Sequence, residues 1–385
     1  MPAINLDHQG GGPLSPAVRA AMAPFLEEAF PSTALHRGGL AARDGLDKAR
    51  AQVASLIGAA PEEIVFTSGG TESANLAVLG YARANRSKGT HLILAATEHA
   101  AVLRCAEALE AEGFTHSFLP VDSEGRVIVA ALKEALRPGT ILVAVHWANH
   151  EVGTLQPVAA LAALCRERGI AFFSDAGAAA GWTPVDIRTA PVSLLSLSPY
   201  RFGGPKGTGA LYVARGTALS PLLLGGSQEN GLRAGTENLP AIAGAGAAAE
   251  EARGDLSQRI WRTGQLQRRL WDALSAQVPG LELNGPLPGP DRSVQNLNWS
   301  ARGVEGEAQV LLCDMRGLLL SSGAACVSRD LRVSHVLAAM GLPSRRGLEN
   351  VMATLGPETT EAEADKAAAI YEAALAKLRA SLPPV

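Results

Sequence analysis

Lysine is scarce in this 385-residue sequence: Lys48, Lys88, Lys133, Lys206, Lys366 and Lys377 are all there are, and arginine supplies most of the positive charge. That bias reads as genomic, yet it confines any chemistry that needs a neutral primary amine to six positions. Cysteine is sparse too. Cys105, Cys165, Cys313 and Cys326 stand far apart with no Cys-x-x-Cys pair, which gives no zinc spacing and fits a reducing, cytoplasmic setting. No block of basic residues is present and the net charge is -3, which argues against nucleic acid as the main partner. No uncharged apolar stretch is long enough to span a bilayer, so no membrane partner is expected. The start, Met1 to Asp7, has no basic region followed by an apolar run, so no secretory signal is expected.

What is present suits a globular protein. Hydrophobic residues make up 47% and charged residues 18%, and the length accommodates two domains. Helix-like segments (Pro16 to Glu28, Ala41 to Ile57, Ala100 to Ala111, Val158 to Arg168) alternate with short apolar runs. Those runs are Ile64 to Phe66, Leu92 to Ala95, Ile141 to Val145 and Ile170 to Ser174. Near-continuous apolar strands between helices predict a mainly parallel sheet sandwiched by helices. An Ala-rich helix, Pro240 to Ala252, closes this large domain. After Gly254 come a long helix to Val278, a loop dense in turn formers (Pro279 to Pro290), a strand near Val294 to Trp299 and a final helix from Thr360 to Ala380. The expected division is 1–15 as a segment packing with the small domain, 16–254 as the large domain and 255–385 as a smaller α/β domain.

The stretch Ser198-Pro-Tyr-Arg-Phe-Gly-Gly-Pro-Lys-Gly-Thr-Gly209 organises the rest. Apolar runs lead in (Val192 to Leu197) and out (Ala210 to Val213), so it joins two strands. Its four glycines mark places where the backbone bends or approaches something closely. By itself it is equally a plain hairpin loop. Phe66-Thr-Ser-Gly-Gly-Thr-Glu-Ser-Ala-Asn75 sits at a strand-to-helix junction, where converging N–H groups suit an anion. Phe173-Ser-Asp175 ends another strand, which faces Asp175 toward the crevice where α/β folds bind ligands. Thr97-Glu-His99 follows a strand, and a lone His there is also a common structural feature.

Together these segments resemble the cysteine desulfurases, a family of fold-type I, class V aminotransferase-like pyridoxal-phosphate enzymes. The family signature is Ser-x-His-Lys-Phe-Gly-Gly-Pro-Lys-Gly-x-Gly. The resemblance implies a homodimer with a phosphate held by residues matching Gly70, Thr71 and Ser198, with Thr236 reaching the partner subunit's phosphate. It implies His99 stacked on the pyridine ring and Asp175 on the pyridine nitrogen, making the ring an electron sink. It places His36 near the site entrance and Asn298 along the substrate pocket. It makes Cys326, in Leu320-Ser-Ser-Gly-Ala-Ala-Cys326, the persulfide carrier, although a free Cys is also commonly a buried structural one.

Several family residues are absent. The Schiff-base Lys is Arg201 and its His neighbour is Tyr200. A ring-contacting Asn is His150, a ring-contacting Gln is Ala178, and Arg residues are replaced by Met352 and Pro357, the latter at the carboxylate clamp. A guanidinium is effectively always protonated, so Arg201 supplies no amine for a Schiff base. Lys206 matches a different family Lys. These changes fall on one site. The expectation is therefore a diverged or non-catalytic homologue whose pyridoxal phosphate, if kept, is held noncovalently. It would act with a sulfur-acceptor or iron–sulfur scaffold protein through Cys326. Two alternatives stand beside it: an active desulfurase with an atypical site, and a protein reusing the pocket for another anionic ligand.

Overall fold

A computed structural model describes residues 3–27, 30–322 and 333–381. The described strands, in chain order, are β1 (Ile4–Asn5), β2 (Ile64–Thr67), β3 (His91–Ala95), β4 (Thr115–Leu119), β5 (Thr140–Ala144) and β6 (Ala171–Asp175). They continue with β7 (Leu194–Leu197), β8 (Gly209–Val213), β9 (Leu281–Leu283), β10 (Asn296–Ala301), β11 (Leu318–Leu319) and β12 (Asn350–Thr354). Seven of them form one sheet in the order β2-β8-β7-β6-β5-β3-β4. Every pair from β4 to β7 is parallel, and β8 alone runs antiparallel, between β7 and β2. This is the mainly parallel sheet expected from the apolar runs. β3, β5 and β7 are buried along their whole length because helices cover both faces.

Among the strands that the sequence did not announce, two are instructive. β4, Thr-His-Ser-Phe-Leu, carries no strand-like apolar run, yet it pairs with β3 in full register. It is the sheet edge, half exposed, so polar residues are tolerated there. β9 lies inside the stretch read as turn-rich loop. Three residues suffice because β10 supplies the hydrogen-bonding partner. The small unit is the antiparallel sheet β12-β10-β9, packed by the helices Leu256–Gln277, Gly306–Asp314 and Glu361–Ala380. Trp299 and Tyr371 meet edge-to-face in its core with centroids 5.3 Å apart. β1 pairs with β11, and Ile4 and Leu6 join this same core.

One buried ion pair fixes a loop that approaches the site. The Glu229 carboxylate accepts from both ends of the Arg50 guanidinium, at 2.6 and 2.7 Å, and from the Phe66 backbone N–H at 2.8 Å. Glu229 and Asn230 both sit at positive φ (49° and 56°), a cost that these bonds offset. Glu229→Ala leaves the half-buried Arg50 without its carboxylate partner. It should lower unfolding stability by about 3 kcal/mol in urea titrations. A loss well under about 1 kcal/mol would mean the pair is not what holds the loop.

Candidate active site

The carboxyl ends of β2, β3, β5, β6 and β7 all open on one cavity of about 650 Å³. Each strand delivers its residues there: Gly70 and Thr71 after β2, His99 after β3, His146 and His150 after β5, Asp175 at the end of β6, and Ser198 after β7. Tyr200, Arg201 and Lys206 come from the loop that turns back into β8. Ligands in open α/β sheets bind in this crevice.

One corner suits an anion. A helical run starts at Gly70, and no side chain caps its first turn, so its leading N–H groups are available. A Cβ on Gly70 would stand 2.2 Å from Ser198 Oγ, so only glycine lets the hydroxyl sit at the helix start. Glu72, in the same turn, is offset by Arg233, whose Nε lies 3.1 Å away.

The cavity floor holds the acid and the imidazoles. Asp175 Oδ1 accepts from Ser196 Oγ and from the Gly177 N–H, both at 2.8 Å. The carboxylate is therefore fixed in place. His99 Nδ1 accepts the Ala101 N–H at 3.1 Å, which caps the next helix and leaves the ring proton on Nε2. Burial holds His99 below its ordinary pKa, the nearby Asp175 pulls the other way, and the charge of Arg201 adds to the lowering. The His150 ring meets His99 edge-on at 5.0 Å. Burial first, then the charges of His99 and Arg201, hold His150 well below its ordinary value, so it is neutral at pH 7.

Arg201 sits in a short helical turn, Pro199–Phe202. Its carbonyl accepts Trp182 Nε1–H at 2.8 Å, and its own Nε donates to the Tyr200 hydroxyl at 3.1 Å. Lys206 is exposed and lines the same cavity, with its side chain passing over Gly11. Burial raises the Asp7 carboxyl, and the charges of Lys206 and Arg201 beside it pull it back down.

Other expected residues lie elsewhere. His36 is exposed and caps the helix Arg37–Ile57, accepting the Gly39 N–H at 3.3 Å, and it does not line the cavity. Asn298 is fully buried in β10, where it accepts from Asn284 Nδ2 at 2.7 Å, and is not among the lining residues. Thr236 is exposed and outside its own chain's cavity. Cys326 lies outside the described residues. The other three cysteines are buried.

Sequence reasoning missed the support behind the imidazoles. Glu98 is completely buried, and its carboxylate accepts the backbone N–H groups of both His146 and His99. A charged residue between Thr97 and His99 at a strand end was the available signal. His335 was passed over as well. Its Nε2 lies 2.8 Å from the Glu98 carbonyl oxygen, and its ring lies 6.3 Å from that of His150.

This donor set fits the phosphate and ring of pyridoxal phosphate. Gly70, Thr71 and Ser198 form the anion corner, and His99 and Asp175 are set for a flat nitrogen heterocycle. Residues 4–366 match the aminotransferase class-V family model. The cysteine desulfurase IscS of Dictyoglomus turgidum is 41% identical over 99% of this chain and 96% of its own length. The cysteine desulfurase IscS of Methanosarcina thermophila is 38% identical over 99% and 94%. Among solved structures, a NifS-like protein superposes with a TM-score of 0.91 at 31% identity, covering 98% of this chain and 100% of its own. DndA from Streptomyces lividans gives 0.77 at 32% identity over 89% and 96%. The fold is thus fold-type I, and the chain belongs to the aminotransferase class-V family and, within it, to the cysteine desulfurases.

Proposed function

We propose that this protein keeps the phosphate and ring side of a pyridoxal-phosphate site, does not hold the cofactor covalently, and serves sulfur transfer or iron–sulfur assembly through Cys326. The observation that carries the proposal is Arg201 lining the cavity beside His99 and Asp175. A guanidinium stays protonated and offers no nucleophile, so Arg201 contributes charge and hydrogen bonds only.

Bound pyridoxal phosphate would supply an electron sink. Gly70, Thr71 and Ser198 would bind the phosphate, Asp175 would hold the ring nitrogen and His99 would cover one ring face. Tyr200 accepts from Arg201 and so orients the guanidinium. Ala178 presents only a methyl group to the cavity. Pro357 has no side-chain donor for a substrate carboxylate, and its carbonyl is taken by Arg262. In a homodimer, the exposed Thr236 would complete the partner's phosphate corner. The chemistry upstream of Cys326 is then the part that has been lost, while a sulfur acceptor needs none of it. We place the protein in the cytoplasm on cysteine usage. No described helix is long and apolar enough to cross a membrane.

A second reading, an active cysteine desulfurase, is favoured by one observation: Lys206 brings a primary amine to the same cavity. The names of the relatives also support it.

Under the leading proposal, sulfide release from L-cysteine by the purified protein stays at the level of a heat-killed sample. Arg201→Lys restores at most cofactor capture, because Tyr200, His150, Ala178 and Pro357 remain. Robust release dependent on Cys326 in the unmodified protein would support the second reading. Strong turnover by Arg201→Lys would show that the loss was a single step.

Thiol reactivity tests the role of Cys326. Burial pushes the thiols of Cys105, Cys165 and Cys313 up to about 12. At pH 8 only about one in ten thousand of each is then thiolate, the reactive form. An alkylating probe should therefore label Cys326 first in the native protein. Labelling of Cys326 only after unfolding would leave the protein without a sulfur role.

A further inference from the structure

A second cavity, of about 440 Å³, lies across Tyr200 and Arg201 from the one described above. That volume falls within the range of small-molecule sites. Its walls come from the start of the chain, the signature loop, the junction of the helices Leu239–Gly254 and Leu256–Gln277, and Pro357. Tyr200 gives it aromatic surface, and the buried Trp182 and Phe202 stand behind its wall.

The charge on this wall is unevenly spent. The Arg259 side chain is 6% exposed, and its one carboxylate partner, Asp255 at 3.2 Å, is 48% exposed. Arg259 Nε and Nη1 are buried without a hydrogen-bond partner among the described residues. Its guanidinium lies over the Trp182 ring at 5.3 Å. A buried guanidinium with two unused donors is costly unless something compensates it. Among the described residues Arg201, on the shared wall, makes one side-chain hydrogen bond, from its Nε to the Tyr200 hydroxyl. Three acidic residues also line the cavity: Asp255 pairs with Arg259, Glu251 accepts from Ser15 Oγ at 2.8 Å, and Glu358 is exposed at the rim. Trp182 Nε1 is spent on the Arg201 carbonyl. The buried polar atoms on this wall that lack a partner among the described residues are the Arg259 donors, while Glu251, Glu358 and His8 also line it.

We propose that this cavity is a binding site for a small carboxylic acid with a flat apolar body, its carboxylate held by Arg259 and Arg201 and its body against Tyr200. Guanidinium–carboxylate pairing is the strong, directional contact, and the stacked ring sets the orientation. The site does not depend on any role of Cys326. It does couple the two cavities, because Arg201 borders both.

The test is calorimetric titration of the full-length protein with phenylacetate, and with phenylacetamide as the neutral control. Saturating inorganic phosphate is included to occupy the anion corner at Gly70. Phenylacetate should bind, phosphate should not compete, and the amide should bind at least about tenfold more weakly. Arg259→Gln should weaken phenylacetate by a similar factor. If that variant is unfolded by circular dichroism, Gly254→Phe carries the test. Gly254 borders this cavity and not the other, and a Cβ placed there meets nothing within 4 Å. Gly254→Phe should fill the space and abolish binding while leaving the thermal midpoint near that of the parent. Equal binding of acid and amide, competition by phosphate, full binding by a folded Gly254→Phe protein, or no binding of phenylacetate up to roughly 10 mM would each overturn the proposal.

Discussion

Parallel alignment is the constraint on which everything else here depends. Because β2, β3, β5, β6 and β7 all point the same way, their carboxyl ends share one edge of the sheet. Residues from five separate stretches of chain therefore meet without any loop having to reach far. The one antiparallel strand, β8, begins at that same edge, so the signature loop folds back over the cavity and delivers Arg201 and Lys206 to it. Glu98 adds local control. Buried, it accepts from the backbone N–H groups of His99 and His146 and so ties those two segments to each other.

The electrostatics of the cavity follow from burial and from two cations. Arg201 and Lys206 line it, and the imidazoles of His99 and His150 are held below their ordinary range. Neutral imidazoles beside a fixed carboxylate suit a flat heterocycle with a ring nitrogen, and the uncapped helix start at Gly70 suits its phosphate. A protonated guanidinium in place of a reactive amine leaves that binding geometry in place and removes the nucleophile. Under the proposed reading the anion corner and the residues facing the ring are kept while the amine is not, and the remaining changes, at His150, Ala178 and Pro357, touch ring and substrate contacts.

Much of this was legible in the sequence for physical reasons. Fully buried strands such as Leu92 to Ala95 advertise themselves as apolar runs, and glycines at strand-to-helix turns mark the anion corner. Gly70 is required by the approach of Ser198 Oγ, which no local pattern announces. β4 was invisible because an edge strand tolerates His116 and Ser117, and β9 because its pairing with β10 outweighs the turn formers around it. His36 was placed at the site by resemblance, and the structure uses it as a helix cap. Arg259 drew no notice at all, since a lone Arg near the start of a helix has no sequence mark of being buried and under-paired.

The central claim is that no lysine takes over the role of the missing amine. Its most direct test is borohydride reduction of the purified protein saturated with pyridoxal phosphate, followed by peptide mass mapping. The account predicts a cofactor that dialyses away and no pyridoxyl-lysine on any of Lys48, Lys88, Lys133, Lys206, Lys366 or Lys377. A stoichiometric pyridoxyl adduct on Lys206 would contradict it and return the protein to the active desulfurases.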